Sequence, residues 1–365
     1  MSRAKELDNR KKDLSRLKPE FRQDIVSGDW ILVASGREDY FKKVLAKRRE
    51  EVKKSSFAKA TEDEVKTCPF ENPQKTGNPK PVLWYSLKNN SKFKIQNSKL
   101  DENDWFLQII PNKYPSVETH YGTCPSLKKL GPYSDMDAIG FHEVVITRDH
   151  SRTIALFKET EIETVINGYK ERYLALSKEK CLRYIFIFHN SGKEAGASVP
   201  HPHSQIMGLP IIPSDVQRSL DGCNNYFEKN KKCVHCETIE WEQSRKERVI
   251  YQNSDFIAIC PYASRVNFEI RIFPLKHNPN FEKITSVQIK KLAESFKAVF
   301  KKIYDKLENP PYNFFIHTAS LSSGSKCYHW HIEILPRISI WAGFELGTGI
   351  EVVFITPEKA AKILK

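Results

Sequence analysis

No stretch of this 365-residue chain approaches the ~18–20 consecutive apolar residues that a membrane-spanning helix needs. The first twenty residues, MSRAKELDNRKKDLSRLKPE, lack an apolar core of the secretory kind. A soluble protein without membrane partners, located in the cytoplasm, is therefore expected. Eight cysteines, at 68, 124, 181, 223, 233, 236, 260 and 327, do not suggest a disulfide framework in such a chain. A close pair among them reads instead as a metal site. Lysine and arginine outnumber aspartate and glutamate by 58 to 45, giving a net charge of +13. The basic residues are nevertheless scattered, or gathered in tails such as Lys42–Lys54, and are not interleaved with aromatics as nucleic-acid surfaces are. The charge reads as a solvated surface with some attraction for phosphorylated substrates. A nucleic-acid partner is disfavoured.

What is present is enough apolar material, 40% of residues, for cores of ordinary size, and length enough for two domains. The chain is also written twice. Strand-like WFLQIIPNKYP and HEVVITRDH, a helix, strand-like LRYIFIFHN and then His201-Pro202-His203 are followed by DFIAICPYA, FEIRIFPLKH, a helix, YNFFIHT and His329-Trp330-His331. His150 precedes His201 by 51 residues and His277 precedes His329 by 52; His189 and His317 each stand 14 residues before the second histidine of their pair. Thr160-x-x-Glu163 and Thr285-x-x-Gln288 read as capping boxes. The apolar stripes behind them, Ile162, Val165, Ile166, Tyr169 and Tyr173, then Ile289, Leu292, Phe296, Val299, Phe300, Ile303 and Leu307, read as core. The expected fold is α+β: two tandem units of mainly antiparallel sheet with packed helices, a pseudo-dimer split into residues 1–213 and 214–365. The charged segments 41–66 and 86–104 fall outside the repeat and read as exposed insertions or mobile loops.

Cys233-Val-His-Cys236 is a C-x-x-C knuckle that can clasp zinc, with His277 and His329 completing a tetrahedron. His235, between the cysteines, is expected to be exposed. The first unit offers Cys68, Glu71, His150 and His201, a carboxylate standing where the other set has its second cysteine. One or two zinc ions are the expected cofactor. Asn190 through Gln205, NSGKEAGASVPHPHSQ, carries small residues that let the backbone approach phosphate. Strand alternation puts His201, His203 and Gln205 on one face. A neutral imidazole attacks phosphorus well near pH 7, and an amide can stabilise charge on a non-bridging oxygen.

HNSGKEAGASVPHPHSQ resembles the active-site segment of the galactose-1-phosphate uridylyltransferases, members of the histidine-triad superfamily. The resemblance runs from Arg22 and Trp30 to AGFELGTG, Ala342–Gly349. It implies two histidine-triad-like domains and ping-pong chemistry. His203 would take a nucleotidyl group from UDP-glucose and pass it to a hexose 1-phosphate, with Gln205 on the phosphate. It further implies that Asn190, Gly196 and Ser198 hold phosphates, that Arg37 lies near the diphosphate, and that Asn112 and Phe70 line the nucleotide site. Phe344 and Glu345 would meet the hexose in the partner subunit of a homodimer. The second unit, with Glu333 in place of Gln205, would be structural. Three positions depart from the family pattern: Glu71 for a cysteine, Tyr40 for a phosphate-contacting arginine, and IEVVFITPE after GTG. An ADP-glucose phosphorylase-like relative and a histidine-triad nucleotide hydrolase are the alternatives. The second usually carries a third histidine where Gln205 stands.

Overall fold

The computed structural model describes residues 18–55, 62–86, 92–93, 104–119, 124–321 and 327–365. A first unit contains β1 (Glu20–Gln23), β2 (Trp30–Val33), α1 (Glu38–Ser55), α2 (Glu62–Thr67), β3 (Leu83–Tyr85), β4 (Lys92–Phe93) and β5 (Leu107–Pro111). It continues with a small hairpin, β6 (Lys128–Leu130) and β7 (Tyr133–Asp135), then β8 (Phe141–Thr147), α3 (Glu159–Leu176), β9 (Tyr184–Ser191) and β10 (His203–Leu209). The second unit runs through α4 (Ser214–Asn230), α5 (Val234–Arg245), β11 (Val249–Gln252), β12 (Phe256–Ile259), β13 (Ile270–Pro274), α6 (Ser286–Lys306), β14 (Tyr312–His317) and β15 (His331–Pro336). α7 (Gly343–Thr348), β16 (Val352–Val353) and α8 (Pro357–Leu364) follow.

Eleven strands form one antiparallel sheet in the order β11-β12-β13-β15-β14-β9-β10-β8-β5-β3-β4. Outward from the centre, β9-β10-β8-β5-β3 is mirrored by β14-β15-β13-β12-β11, which is the sequence repeat made visible. Phe188 pairs with Phe315 in the β9–β14 seam. The long strands are buried on both faces, so they read as nearly unbroken apolar runs. α3 and α6 lie side by side across the sheet. Their apolar stripes enter one continuous core with Phe256, Ile272 and Trp330.

The capping box of α6 forms as read: Gln288 N–H donates to Thr285 Oγ1 and Thr285 N–H to the Gln288 side chain. That of α3 does not fall on Thr160 and Glu163. The helix begins earlier, and Glu161 accepts from Lys158 N–H at 2.6 Å. Arg152 holds that carboxylate in place at 2.9 Å, and buried Phe157 fixes the chain just before it. The matched fourteen-residue spacings of His189 and His317 are also not an equivalence. Gln205 pairs with Phe188 and Glu333 with Phe315, so His317 corresponds to Asn190. His189 lies on the helix side, where its Nδ1 is 2.9 Å from Ser204 Oγ.

Segment 41–66, read as an exposed insertion or mobile loop, is helical where it is described, in α1 and α2, and residues 56–61 lie outside the described residues. Residues 41–55 belong to α1, whose Phe41 is buried 5.0 Å from the Phe268 ring, while Arg48 donates to Glu308 O and Asn309 O. Phe41 and Leu45, one turn apart, supply the apolar contact that a reading by charge overlooked. Of segment 86–104, only its two ends and β4 are described. One disulfide, Cys124–Cys181, ties the approach to the β6–β7 hairpin to the turn after α3. Its partners are 57 residues apart, and no local spacing announces them.

Gly222 on α4 sits directly against the turn after β1: a Cβ there would stand 1.8 Å from Val26 O. Gly222→Ala is expected to destabilise the protein by about 1–3 kcal/mol, through forced displacement of that turn. A lowered urea midpoint with unchanged slope is the measurement that checks it.

Candidate functional site

β10 organises the site. Its pairing with β8 and β9 puts His203 and Gln205 on the sheet face away from α3, and Ser204 and Ile206 on the helix side. Ser204 Oγ is there 2.5 Å from the buried Tyr169 hydroxyl. His203 Nδ1–H donates to His201 O at 2.8 Å, so the proton stays on Nδ1 and Nε2 keeps its lone pair. Burial lowers the imidazole pKa below its usual value, which favours the neutral nucleophilic form. Buried Phe70 packs its ring 5.0 Å from that of His203.

The loop from Ser191 to Pro202 faces a cleft of about 560 Å³ lined by Cys68, His150, Asn190, Gly192, Ser198 and Pro202, among others. Gly192 and Gly196 have φ of 85° and 82°, a left-handed backbone that favours glycine. A Cβ on Gly192 would also strike Pro311 at 2.8 Å. Asn313, on β14 of the second unit, clamps this loop by donating to Asn190 Oδ1 at 2.7 Å and Ala195 O at 2.8 Å. Arg337 in turn holds Asn313 Oδ1 at 2.5 Å. With its oxygen so engaged, Asn190 has its amide N–H groups available to the cleft. Gln205 Oε1 is 2.7 Å from His142 Nε2, and Asn112 Nδ2 is 3.2 Å from the same nitrogen.

Among the described residues three clusters have the donors for a metal: the two expected from the sequence and a third, His317, His331 and Glu333. Cys233, Cys236, His277 and His329 converge, with Cys236 Sγ 3.3 Å from His277 Nδ1 and 3.5 Å from His329 Nδ1. Cys233 N-caps α5, so the first turn of that helix carries both sulfurs. The Cys236 hydrogen bond, then that of His329, hold the Cys233 thiol low, and Cys236 is correspondingly raised. In the first unit Cys68, His150 and His201 converge. His201 Nε2 is tied to Thr147 O at 2.7 Å, which turns Nδ1 toward His150 and Cys68. Glu71 Oε2 is buried, has no hydrogen-bond partner, and lies 3.4 Å from His150 Nδ1. A cation would satisfy that oxygen, so both expected donor sets fit a metal ion.

His235 is not exposed but buried. Its Nε2 is 3.5 Å from Cys223 Sγ and its ring packs on Phe273 and His331, because the turn that aims the cysteines outward aims it inward. The second unit has a counterpart of the first site. His331 Nδ1–H donates to His329 O at 3.1 Å, as His203 does to His201. Its Nε2, however, faces Glu333, whose carboxylate is shared by Arg265 and Arg271. Burial raises that carboxyl's pKa, but Arg271 and Arg265 outweigh it and hold the group ionised.

Of the expected site residues, Cys68, His150, Asn190 and Ser198 line this cleft. Phe70 packs on the rings of His201 and His203, Glu71 reaches His150, Gln205 shares the strand face of His203, and Asn112 approaches Gln205 through His142. Arg37 ends a 3-10 turn, and its side chain lies outside the described residues. Half-exposed Phe344 and neighbouring Glu345, on α7, are not brought to this cleft; the flanking Trp341 and Gly349 line the second unit's pocket. The sequence reading missed His142, Asn313 and Arg337. Only the alternation His142-Val144-Ile146 signalled His142, by placing it on the face of Gln205.

A histidine with its Nδ1–H bound to a carbonyl, on the strand face it shares with Gln205 and within two fused histidine-triad-like halves, fits a nucleotidyltransferase. The chain belongs to the galactose-1-phosphate uridylyltransferase family. Residues 12–213 match its N-terminal domain and residues 219–340 its C-terminal domain. It is 31% identical over 354 residues to an ADP-glucose phosphorylase of Arabidopsis thaliana, spanning 95% of this chain and 92% of that protein. It is likewise 31% identical over 273 residues to the galactose-1-phosphate uridylyltransferase of Thermotoga maritima, 72% of this chain and 85% of that one. The crystal structure of an Arabidopsis thaliana ADP-glucose phosphorylase with bound ADP-glucose superposes with a TM-score of 0.73 at 28% identity, covering 95% of this chain and 98% of that one.

Asn313→Ala is expected to cost about 1–3 kcal/mol, because Asn190 Oδ1 and Ala195 O lose their partner. Thermal melting measures it.

Proposed function

We propose that this chain transfers a nucleotidyl group from a sugar nucleotide to a sugar phosphate through His203, with UDP-glucose and a hexose 1-phosphate as its substrates. The observation that carries the reading is the His203 imidazole, with its Nδ1–H bound to a carbonyl, on the strand face it shares with Gln205. In the first step the Nε2 lone pair attacks the α-phosphorus. The bond from phosphorus to the bridging oxygen breaks, and the hexose 1-phosphate leaves with that electron pair. The positive charge gained by the imidazole is held by the Nδ1–H bond to His201 O. In the second step an acceptor phosphate oxygen attacks phosphorus, the P–N bond breaks, and neutral His203 returns.

Gln205 donates to a non-bridging oxygen, an effect of about 3–4 kcal/mol for an oriented donor. Asn190, Ser198 and the backbone at Gly196 hold phosphates, Arg37 meets the diphosphate, and Phe70 and Asn112 border the nucleotide. Phe344 and Glu345 serve the site of a second copy in a homodimer, which agrees with their distance from the cleft of their own chain. The domains divide at 213/214, and the enzyme works in the cytoplasm. Zinc is the metal for Cys233, Cys236, His277 and His329, and for Cys68, Glu71, His150 and His201. It supplies a structural clasp rather than a reacting group. Gln205 in place of a third histidine disfavours hydrolysis of the intermediate.

A second reading is adenylyl transfer from ADP-glucose to inorganic phosphate. The similarity to the Arabidopsis thaliana ADP-glucose phosphorylase over 95% of the chain favours it. Intact-protein mass spectrometry after brief exposure to UDP-glucose or ADP-glucose, without acceptor, tests both. A uridylyl or an adenylyl increment on the wild-type chain, absent from His203→Ala, is expected; its mass names the base. Discharge by hexose 1-phosphate or by inorganic phosphate then names the acceptor. No increment with either donor overturns both readings. Gln205→Ala is expected to slow formation of the adduct by about 10²–10³-fold. His329→Ala is expected to lose one equivalent of zinc by metal analysis and to melt at a lower temperature. Retention of both would remove the second metal site from this account.

A further inference from the structure

We infer that His142 is a positioning residue that fixes the orientation of the Gln205 side-chain amide, so that its N–H groups rather than its oxygen meet the phosphate. The inference rests on the nucleotidyl-transfer reading and concerns a residue that neither touches substrate nor binds metal in it.

The argument turns on which groups can only donate. The turn after β5 is tied to β8 twice. Asn112 N–H donates to His142 O at 2.8 Å, and Ser116 N–H points at His142 Nδ1 from 3.1 Å. A backbone N–H cannot accept, so His142 Nδ1 carries no proton and Nε2 does. Nε2–H then seeks an acceptor, and Gln205 Oε1 is 2.7 Å away. Asn112 cannot supply that acceptor: its Oδ1 is taken by Tyr114 N–H at 2.9 Å, and its amide nitrogen, 3.2 Å from Nε2, only donates and makes no hydrogen bond to the Nε2–H. The Gln205 oxygen is therefore bound on the side of His142, and the amide N–H groups face the opposite way, along the strand face that carries His203. His142 is 7% exposed, and the sheet register puts it against Met207, on the same face as Gln205 and His203. The alternative is costly, because a flipped Gln205 would leave the Nε2–H of this buried histidine with no acceptor at all.

A free glutamine amide presents either end to a phosphate, and only one end stabilises negative charge. Two backbone N–H groups, at Tyr114 and Ser116, set the polarity of a whole relay. They orient Asn112 and His142, and His142 orients Gln205, so that no acceptor is turned toward the incoming phosphate.

The test is a double-mutant cycle read by single-turnover formation of the nucleotidyl-enzyme. His142→Leu is expected to slow that step by about 10- to 100-fold, the usual loss when a residue supporting a reacting group is removed. Donor affinity and the melting temperature should change little by comparison. His142→Gln, whose amide nitrogen reaches the position of Nε2, is expected to recover most of the rate; His142→Asn, whose amide stops short, is not. In a Gln205→Ala background His142→Leu is expected to have no further effect, because its target is gone. Equal slowing in both backgrounds, or a wild-type rate in His142→Leu, overturns the inference. If His142→Leu does not fold, the Gln and Asn variants compared in the two backgrounds decide the same question. Absence of any adduct on the wild-type chain overturns the transfer reading and this inference together, whereas a normal adduct with additive variants overturns this inference alone.

Discussion

The pairing of β9 with β14 is the constraint on which the rest of the molecule hangs. The first half of the chain makes six strands of the sheet and the second half five; each set alone would end in an open edge, and an open edge of apolar strands is an aggregation template. Joining the two edges removes both, and it lets α3 and α6 close over a single core rather than two small ones. The seam runs from Tyr312 opposite Ser191 to Ile316 opposite Ile187. It therefore also decides which residue of the second half meets the Ser191–Pro202 loop of the first. Asn313 falls opposite Asn190, and the clamp follows from the register.

The same scaffold holds two histidines with opposite chemical prospects. His203 and His331 share the carbonyl hydrogen bond that frees Nε2. What differs is the side chain two residues on. Gln205 offers neutral N–H donors, which suit an oxyanion. Glu333 is an ionised carboxylate locked between two guanidinium groups. A phosphate entering there would meet an ionised carboxylate where the first unit offers an amide.

Much of this was legible in the residues, and the boundaries of what was legible are physical. The repeat was readable because strands buried on both faces give apolar runs, and because strand alternation is a strict period of two. The convergence of Cys233, Cys236, His277 and His329 was readable because their spacing places them where loops meet fixed strand ends. His235 was misread because a spacing rule says nothing of which way a helical turn faces. His189 was misjudged because one residue of difference in a loop shifts register without disturbing a count. α1 was taken for a loop because charge outweighs two apolar residues in any composition-based reading. Asn313 and Arg337 were invisible, since a contact between halves depends on a seam that no local pattern encodes.

The clamp from Arg337 through Asn313 to Asn190 and Ala195 also bears on how the halves depend on each other. The loop around the reactive histidine belongs to one half, yet its shape is set by side chains of the other. A chain severed near residue 213 would yield two fragments, neither of which carries a finished site. Activity regained by mixing them would rise with the concentration of both, as a bimolecular reassembly does. What looks like a catalytic half and an idle one is a single catalyst whose rigidity is supplied in trans along its own backbone.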